Sequence, residues 1–449
     1  MTNPADAAVL ERLTDLIAKA RAAGADAADA VRIDGTSLSM ACRLGETETV
    51  ERSEGQDLGL RVFVGRRQAC VSSSDFSDTA LDELVARAVA MAKAVPEDPY
   101  CGLADPDQLA TGTVDLDMND PTDSTPDGLA ALAAAAEDAA RAVPGVTNSE
   151  GAEASWSRTR VAIAASNGFA RIYARTSHGL SASVLAGEGT GMERDYDYTA
   201  AVHGADLRSP DEVGRTAGEK AVRRLNPRKA ASAQVPVIYD PRVSRSLLGH
   251  LVSAIAGPAI TRGTSFLKAR MGEVIFPEAI TIVDDPLRRR GLRSRGFDAE
   301  GVASATRKII DGGRLTTWLL DLGSARQLGL QTTGHASRGT SSPPSPSSTN
   351  LYLEPGAASP AELMADIASG LYVTELIGFG VNGVTGDYSR GASGFWIENG
   401  ELTHPVSEVT VAGNLNDMFA HLTAANDLTF RYGTDAPTLR VDGMTLAGT

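Results

Sequence analysis

Residues 239–266, YDPRVSRSLLGHLVSAIAGPAITRGTSF, decide how the second half of the chain is read. Asp240 is a strong helix N-cap, because its carboxylate can accept N–H groups that a helix start leaves unbonded, and Pro241 fits the first helical position. Val243, Leu247, Leu248, Leu251, Val252 and Ile255 then recur at helical spacing and give one apolar face. The predicted helix carries one histidine, His250, which by residue chemistry alone reads as an ordinary helix histidine bonded to a nearby carbonyl.

Arg245 and Ser246 lie five and four residues before His250, where an HExxxH motif would place a histidine and a glutamate. Neither can replace those groups. Arginine stays protonated and offers no lone pair, and a serine hydroxyl is a poor base for a zinc-bound water. Ser246 and His250 share a helix face, which permits a Ser–His contact. The sequence supplies no GxSxG elbow, orienting carboxylate or oxyanion donor pair to go with it, so an independent serine hydrolase is the weakest reading.

Working outward, 449 residues suit two or three domains, and a composition rich in Gly and Ala but only 5% aromatic favours closely packed helices and many turns. The net charge of −15 argues against non-specific binding to nucleic acid or anionic membrane. Residues 241–350 run the other way, with 15 Lys and Arg against 8 Asp and Glu. Arg288, Arg289, Arg290, Arg293 and Arg295 supply most of that excess, either as a solvated basic face or as a surface for a carboxylate-bearing peptide or acidic partner. Three cysteines, Cys42, Cys70 and Cys101, have no CxxC spacing and fit a reduced cytosol. No secretory signal is visible and no apolar run reaches the roughly 20 residues that span a bilayer, so a cytoplasmic location is expected.

The expected fold class is α+β in two lobes. The N-terminal lobe comprises two helix-and-antiparallel-strand units, 1–100 and 115–230, and a strand-rich domain, 231–449, carries the helix quoted above. In the first unit, helical patterns at 5–23 and 75–94 flank strands at 36–44 and 57–64. In the second, helices at 128–143 and 211–225 flank strands that meet at Asn167-Gly168, a strong hairpin signal. A linker rich in Asp, Pro, Gly and Thr separates the units, and the order of elements echoes between them without a sequence repeat. Asn399-Gly400 predicts a second hairpin, a strand over 406–413 leads to a short helix near 415–422, and a strand starts at Thr438. The run 341–348, SSPPSPSS, reads as an exposed or substrate-facing loop.

Several apparent motifs lack a physical context. Gly378, Gly380 and Gly383 match GxGxxG, but no helix follows to receive a pyrophosphate. Asp195 and Asp197 alternate with Tyr196 and Tyr198, which predicts a solvated acidic strand edge rather than a metal site. Asp284 and Asp285 are expected to neutralise the arginine run. Residues 329–350 concentrate small polar residues around His335 and Arg338, as a groove lining or a surface loop would.

The stretches SEGQDLGLRVFVG, TSHGLSASVLAGEGTGMERDYDY, YDPRVSRSLLGHL, GLRSRGFDAEGV, TGHASRGTSSPPSPSSTNLYLEPG and ELIGFGVNGVTGDYSRGASGFWIENGE together resemble the TldD/PmbA family, most closely its PmbA (TldE) branch, over nearly the whole chain. The resemblance implies a cytosolic heterodimer whose TldD-type partner holds zinc through HExxxH and a distal cysteine and degrades or trims peptides in an enclosed chamber. Matched to that motif, Arg245 takes the place of the first histidine, Ser246 that of the glutamate, and His250 that of the second histidine. No cysteine follows Cys101. The expectation is therefore a subunit with no zinc of its own, paired with a zinc-bearing TldD-type subunit. Peptide is the expected substrate, and His335, Arg338, Asn350 and Arg390 are candidates for contacting it. The alternative is a homodimeric peptide-binding or modulator protein without catalysis.

Overall fold

A computed structural model describes residues 4–448. The N-terminal half is one six-stranded antiparallel sheet, in the order β3-β2-β1-β4-β5-β6, with β1 at Ala27–Arg43, β2 at Glu46–Val64, β3 at Arg67–Ser73, β4 at Val146–Ala165, β5 at Ala170–Ala186 and β6 at Glu193–Ala201. The two predicted units share this sheet, because β1 pairs with β4 from Asp29↔Ala165 to Cys42↔Ala152. Helices α1 (Pro4–Ala22), α2 (Asp78–Ala94), α3 (Pro126–Arg141) and α4 (Pro210–Arg223) all cover one face. Ala28, Ala30, Leu58 and Leu60 bury against α1 and α2, while Leu38, Met40, Ala154 and Leu180 bury against α3 and α4.

The strands exceed their sequence-based bounds. β1 and β2 meet at a tight turn in which Leu44 and Gly45 both have positive φ, 55° and 83°. A Leu-Gly pair carries none of the usual hairpin chemistry, so the alternation was legible only where one face is buried. The Ala- and Gly-rich helices pack as composition suggests, since a Cβ on Gly214 of α4 would stand 2.0 Å from the Ala136 carbonyl of α3.

The C-terminal half is built on β7 (Ala233–Tyr239), β14 (Ser369–Val381), β15 (Asp387–Glu398), β16 (Glu401–Asn414), β17 (Leu422–Ala424) and β19 (Leu439–Ala447), in the order β16-β15-β14-β7-β19-β17. β16 also pairs with β19, from Thr410↔Ala447 to Ala412↔Thr445, so five of these strands form a closed ring. Short strands β8 (Ile282–Asp284), β9 (Arg307–Asp311), β10 (Arg314–Leu315), β13 (Leu351–Leu353) and β18 (Thr434–Asp435) make a second sheet. Between the two sheets runs α5, Pro241–Ile255, capped as predicted: Asp240 accepts from the Arg242 N–H at 2.9 Å. Its apolar stripe, Val243, Leu247, Leu248, Leu251 and Ile255, joins a core with Val237, Val373, Tyr388 and Leu439. Shorter helices α6 (Gly257–Thr261), α7 (Leu322–Leu328), α8 (Pro360–Met364) and α9 (Leu415–Ala420) complete the lobe.

The run 341–348 is tied at one point by a two-residue ladder, β11 (Ala336–Ser337) against β12 (Ser345–Pro346). Residues 338–340, between β11 and that run, lie on the uncovered face of the first sheet. There Gly59 is required, because a Cβ would meet the Thr340 carbonyl at 2.1 Å. Beside that contact the lobes are joined by a buried ionic cluster. Asp29 accepts from Arg61 Nε at 2.9 Å and from Arg338 Nη1 on the other lobe, and Leu322 N–H donates to Glu300 at 2.8 Å. Burial pushes the Asp29 carboxyl upward, but Arg338 and Arg61 outweigh it and hold it below the usual carboxylate range.

Candidate functional site

Where α5 faces the end of β6, a cleft of about 650 Å³ opens between the lobes. From the helix it takes Arg242, Arg245, Ser246, Gly249 and Val252, whose spacing of three and four is the face next to the buried stripe. β6 contributes Arg194, Asp195 and Tyr196; Thr374, Glu375 and Leu376 come from β14, Arg390 from β15, and Arg293, Ser347 and Ser348 from loops. Of the three positions matched to HExxxH, Arg245 and Ser246 line this cavity and His250 does not.

The floor of the cleft is an ion-pair network that locks the lobes. Arg242 grips Asp195 with both terminal nitrogens and donates Nε to the Thr374 carbonyl at 3.0 Å. Arg224 reaches Glu375 at 2.7 Å and Asp195 at 3.5 Å. Burial raises the Asp195 carboxyl, and Arg242 and Arg224 more than reverse it, so this acid stays ionised. Asp195 and Asp197 are accordingly not the solvated edge that alternation suggested. Both are buried, opposite Val184 and Ala182 on the helix-covered face, and Asp197 takes Arg208 and Lys220. A strand's period says that the two share a face, not which face; Lys220 on α4, Arg208 and Arg224 at its two ends and Arg242 on α5 decide it.

Tyr196 lines the cleft and is backed by two further tyrosines. Tyr196 and Tyr198 stack with ring centroids 6.2 Å apart, Tyr198 meets Tyr432 at 5.0 Å, and the Arg245 guanidinium sits 4.3 Å from the Tyr432 centroid. Burial pushes the Tyr198 phenol up to about 12, so it is a hydrogen-bond donor at neutral pH.

The α5 residues make no catalytic pair. Ser246 Oγ donates to the Val243 carbonyl at 2.6 Å, and His250 packs edge-on against Tyr388 with Nε2 buried and without a hydrogen-bond partner. Burial, with Arg390 nearby, lowers the His250 pKa and keeps the ring neutral. A serine hydrolase built on these two residues is not supported by this geometry.

Of the four residues expected to contact substrate, Arg390 lines the cleft, donating Nε to the Ile377 carbonyl at 3.2 Å. The other three sit elsewhere. His335 is buried between Thr333 Oγ1, 2.8 Å from Nδ1, and Asp284, 3.1 Å from Nε2. Arg338 is in the Asp29 cluster, and Asn350 is buried, accepting from the Arg293 N–H at 2.9 Å and donating to the Asp285 carbonyl at 2.7 Å. Asp284 and Asp285 therefore do not neutralise the arginine run: Asp284 binds His335 and Thr349, and Asp285 accepts from Thr306 at 2.8 Å. Arg289 and Arg290 pair instead with Asp117, far back in the inter-unit linker, and of the five arginines only Arg293 enters the cleft. Sequence reading missed Arg194, Tyr196, Arg224, Arg242 and Glu375. For Arg242 a signal existed, three residues before Arg245 on the same helix face; the rest meet only through tertiary packing.

These features define a two-lobed α+β scaffold in which a capped helix lines an arginine-rich cleft between the lobes. The chain belongs to the PmbA/TldD family. Profiles described as PmbA/TldA metallopeptidase domain 1, central domain and C-terminal domain match residues 28–92, 119–225 and 232–448. The chain is 38% identical to Metalloprotease PmbA of Escherichia coli O157:H7, over 98% of this chain and 96% of that protein. It is 37% identical to the Metalloprotease PmbA homolog of Haemophilus influenzae, over 95% and 93%. A crystal structure from Bacteroides thetaiotaomicron, of a protein described as a candidate modulator of DNA gyrase, superposes with a TM-score of 0.89 at 28% identity, covering 98% of each chain. TldE from Thermococcus kodakarensis shares the fold, with a TM-score of 0.86 at 20% identity over 97% of this chain and all of that one.

The relatives' name raises the question of a metal, and the residues present do not fit one. Arg245 is committed to Tyr432, the Ser246 hydroxyl to its own helix, and His250 offers a single nitrogen with no second donor beside it. Among the described residues no group of three or more His, Cys, Asp or Glu is placed to hold a metal ion. No described helix is long and apolar enough to cross a membrane.

Proposed function

We propose that this chain is the subunit without metal ligands of a heterodimeric TldD-type zinc peptidase in the cytoplasm, where it completes the chamber and the peptide-binding surface while its partner carries out hydrolysis. One observation carries the reading: α5 and the cleft beside it are well formed, yet the residues matched to HExxxH there, Arg245 and Ser246, carry groups that cannot bind a metal or activate a metal-bound water. The end of β14 and the turn after it add support. Phe379 in β14 is 98% exposed, with Ile377 of the same strand and Val384 of the turn more than half exposed, apolar surface of the kind that subunit contacts cover.

Coexpression with a TldD-type chain bearing HExxxH tests this. Peptidase activity is expected only in the mixture, with zinc in the partner, and Phe379→Asp is expected to reduce co-purification. Stoichiometric zinc and peptidase activity in this chain purified alone would overturn the reading. A second reading, a homodimeric peptide-binding modulator, is supported by the neighbour described as a modulator of DNA gyrase. It predicts a stable homodimer and no gain of activity on adding the TldD-type chain.

A further inference from the structure

Six arginines but only two acids line the cleft over α5, in a chain whose overall charge is −15. Three of the six are spoken for: Arg242 by Asp195, Arg224 by Glu375, and Arg194 by Glu150 at 3.2 Å. The other three, Arg245, Arg293 and Arg390, form no ion pair among the described residues. Arg293 donates Nη1 to Thr434 Oγ1 at 3.3 Å, Arg390 donates Nε to a carbonyl, and Arg245 donates Nε to the Arg242 carbonyl at 3.2 Å while its plane rests on Tyr432. Asp435 lies within electrostatic reach of Arg245 without an ion pair to it; one of its carboxylate oxygens accepts the Arg431 and Tyr432 N–H groups, both at 2.9 Å.

A guanidinium has five N–H donors in a rigid fork; Arg245 spends one more on the Tyr198 hydroxyl, and all three keep donors that no ion pair with a described carboxylate takes. Convergence of unpaired cations in a concave site focuses field and draws in anions even against an acidic whole. The cavity lies within the range of about 300–1,000 Å³ typical of small-ligand sites. Val243, Val252, Leu376 and Tyr196 give it apolar walls that a bare inorganic anion would not use. Ser347 and Ser348 add small polar groups at its edge.

We infer that this cleft is a carboxylate-binding site for peptides: Arg245, Arg293 and Arg390 bind a peptide carboxylate while the apolar walls take neighbouring side chains. The inference deepens the subunit reading by assigning this chain a ligand of its own. It places an arginine where a metal ligand would stand because the cleft handles charge by binding it rather than by hydrolysing beside it.

The test is fluorescence anisotropy on the purified full chain with fluorescein-labelled penta-alanine as the free acid, as the C-terminal amide, and as an amide with one central glutamate. The free acid is expected to bind about tenfold or more tightly than the amide, as loss of a charge-assisted hydrogen bond demands. Added salt weakens it. Arg245→Gln and Arg390→Gln each reduce it by a similar factor, and so does Arg293→Gln, whose exposed side chain makes its one hydrogen bond to Thr434 and lies over Gly433, so that the melting temperature should be unchanged. If the glutamate-bearing amide matches the free acid, either carboxylate serves; if it binds no better than the plain amide, the site takes the terminus alone, and either result supports the site. Equal binding of acid and plain amide, displacement by inorganic phosphate more effective than by the acid peptide, or indifference to all three substitutions would overturn it. Because the readout is binding to this chain alone, it stands or falls separately from the appearance of peptidase activity in the mixture.

Discussion

Two arginine-rich regions join the lobes, and they use the same residue in opposite ways. Around Asp29, Arg61 and Arg338 are buried, and their charges are spent on one carboxylate, with Glu300 beside them. In the cleft over α5, Arg242 and Arg224 are spent in the same fashion, but Arg245, Arg293 and Arg390 are not. A buried guanidinium without a carboxylate would cost several kcal/mol, so pairing is compulsory in the first region. Water and a ligand can serve the cleft, so there pairing is optional. Paired arginines mark the joint between the lobes, and unpaired ones mark where it opens to something else.

The largest effect that would break this contrast is Asp29→Ala. It strands two buried guanidiniums, and a loss of about 3–5 kcal/mol is expected in urea unfolding; a change below about 1 kcal/mol would mean the cluster is wetter than described. Gly59→Ala comes next. Its methyl group must push the Thr340 carbonyl away, and a loss of about 1–3 kcal/mol is expected, with faster proteolysis between 338 and 348.

Glu300 sharpens the contrast through pH. Burial pushes its carboxyl up to about 8, with Arg61 opposing and Asp298 reinforcing, against an ordinary value near 4.5. At 3.9 Å from Arg61 Nη1 the contact is too long for a hydrogen bond to offset this. The folded state thus keeps a proton that the unfolded chain releases above about 4.5. The associated stability is complete below that pH and is lost as pH rises through about 8. Glu300→Gln, which cannot ionise, should gain on the wild-type chain between pH 5 and pH 8.5 in denaturation midpoints. Parallel curves would refute the assignment.

The smallest effect belongs to the cleft. Arg245→Gln removes a partly exposed cation–π contact and no ion pair, so stability should move by about 0.5–1 kcal/mol. A loss as large as that of Asp29→Ala would make Arg245 part of the joint and erase the distinction.

The parts of the molecule legible in sequence are those settled by local chemistry. Asp240-Pro241 starts α5, Asn167-Gly168 and Asn399-Gly400 turn their hairpins, and helical spacing identifies α1 to α4. Pairings across long separations were not legible, neither β1 with β4 nor β16 with β19, because period-2 alternation names no partner. The site divides the same way. Arg245 and Ser246 could be placed on one helix face from spacing alone, whereas Arg194, Arg293 and Glu375 join them only after three separate segments pack together. His335 and Asn350 drew notice as polar residues in a small-residue loop. The structure buries both, with hydrogen bonds that tie the loop to the segment 284–285: His335 to Asp284 and Asn350 to the Asp285 carbonyl.

The closed strand ring has a consequence for synthesis on the ribosome. β7 is made at residues 233–239, but its antiparallel neighbour β19 follows some 200 residues later. At about 5–20 residues per second, β7 and the apolar stripe of α5 wait roughly 10–40 s before residues 439–447 emerge to cover them. The first sheet has all six of its strands by residue 201 and needs no such delay. The nascent chain is therefore a folded lobe trailing an unfinished one, and chaperones that hold exposed apolar segments would engage it in that interval.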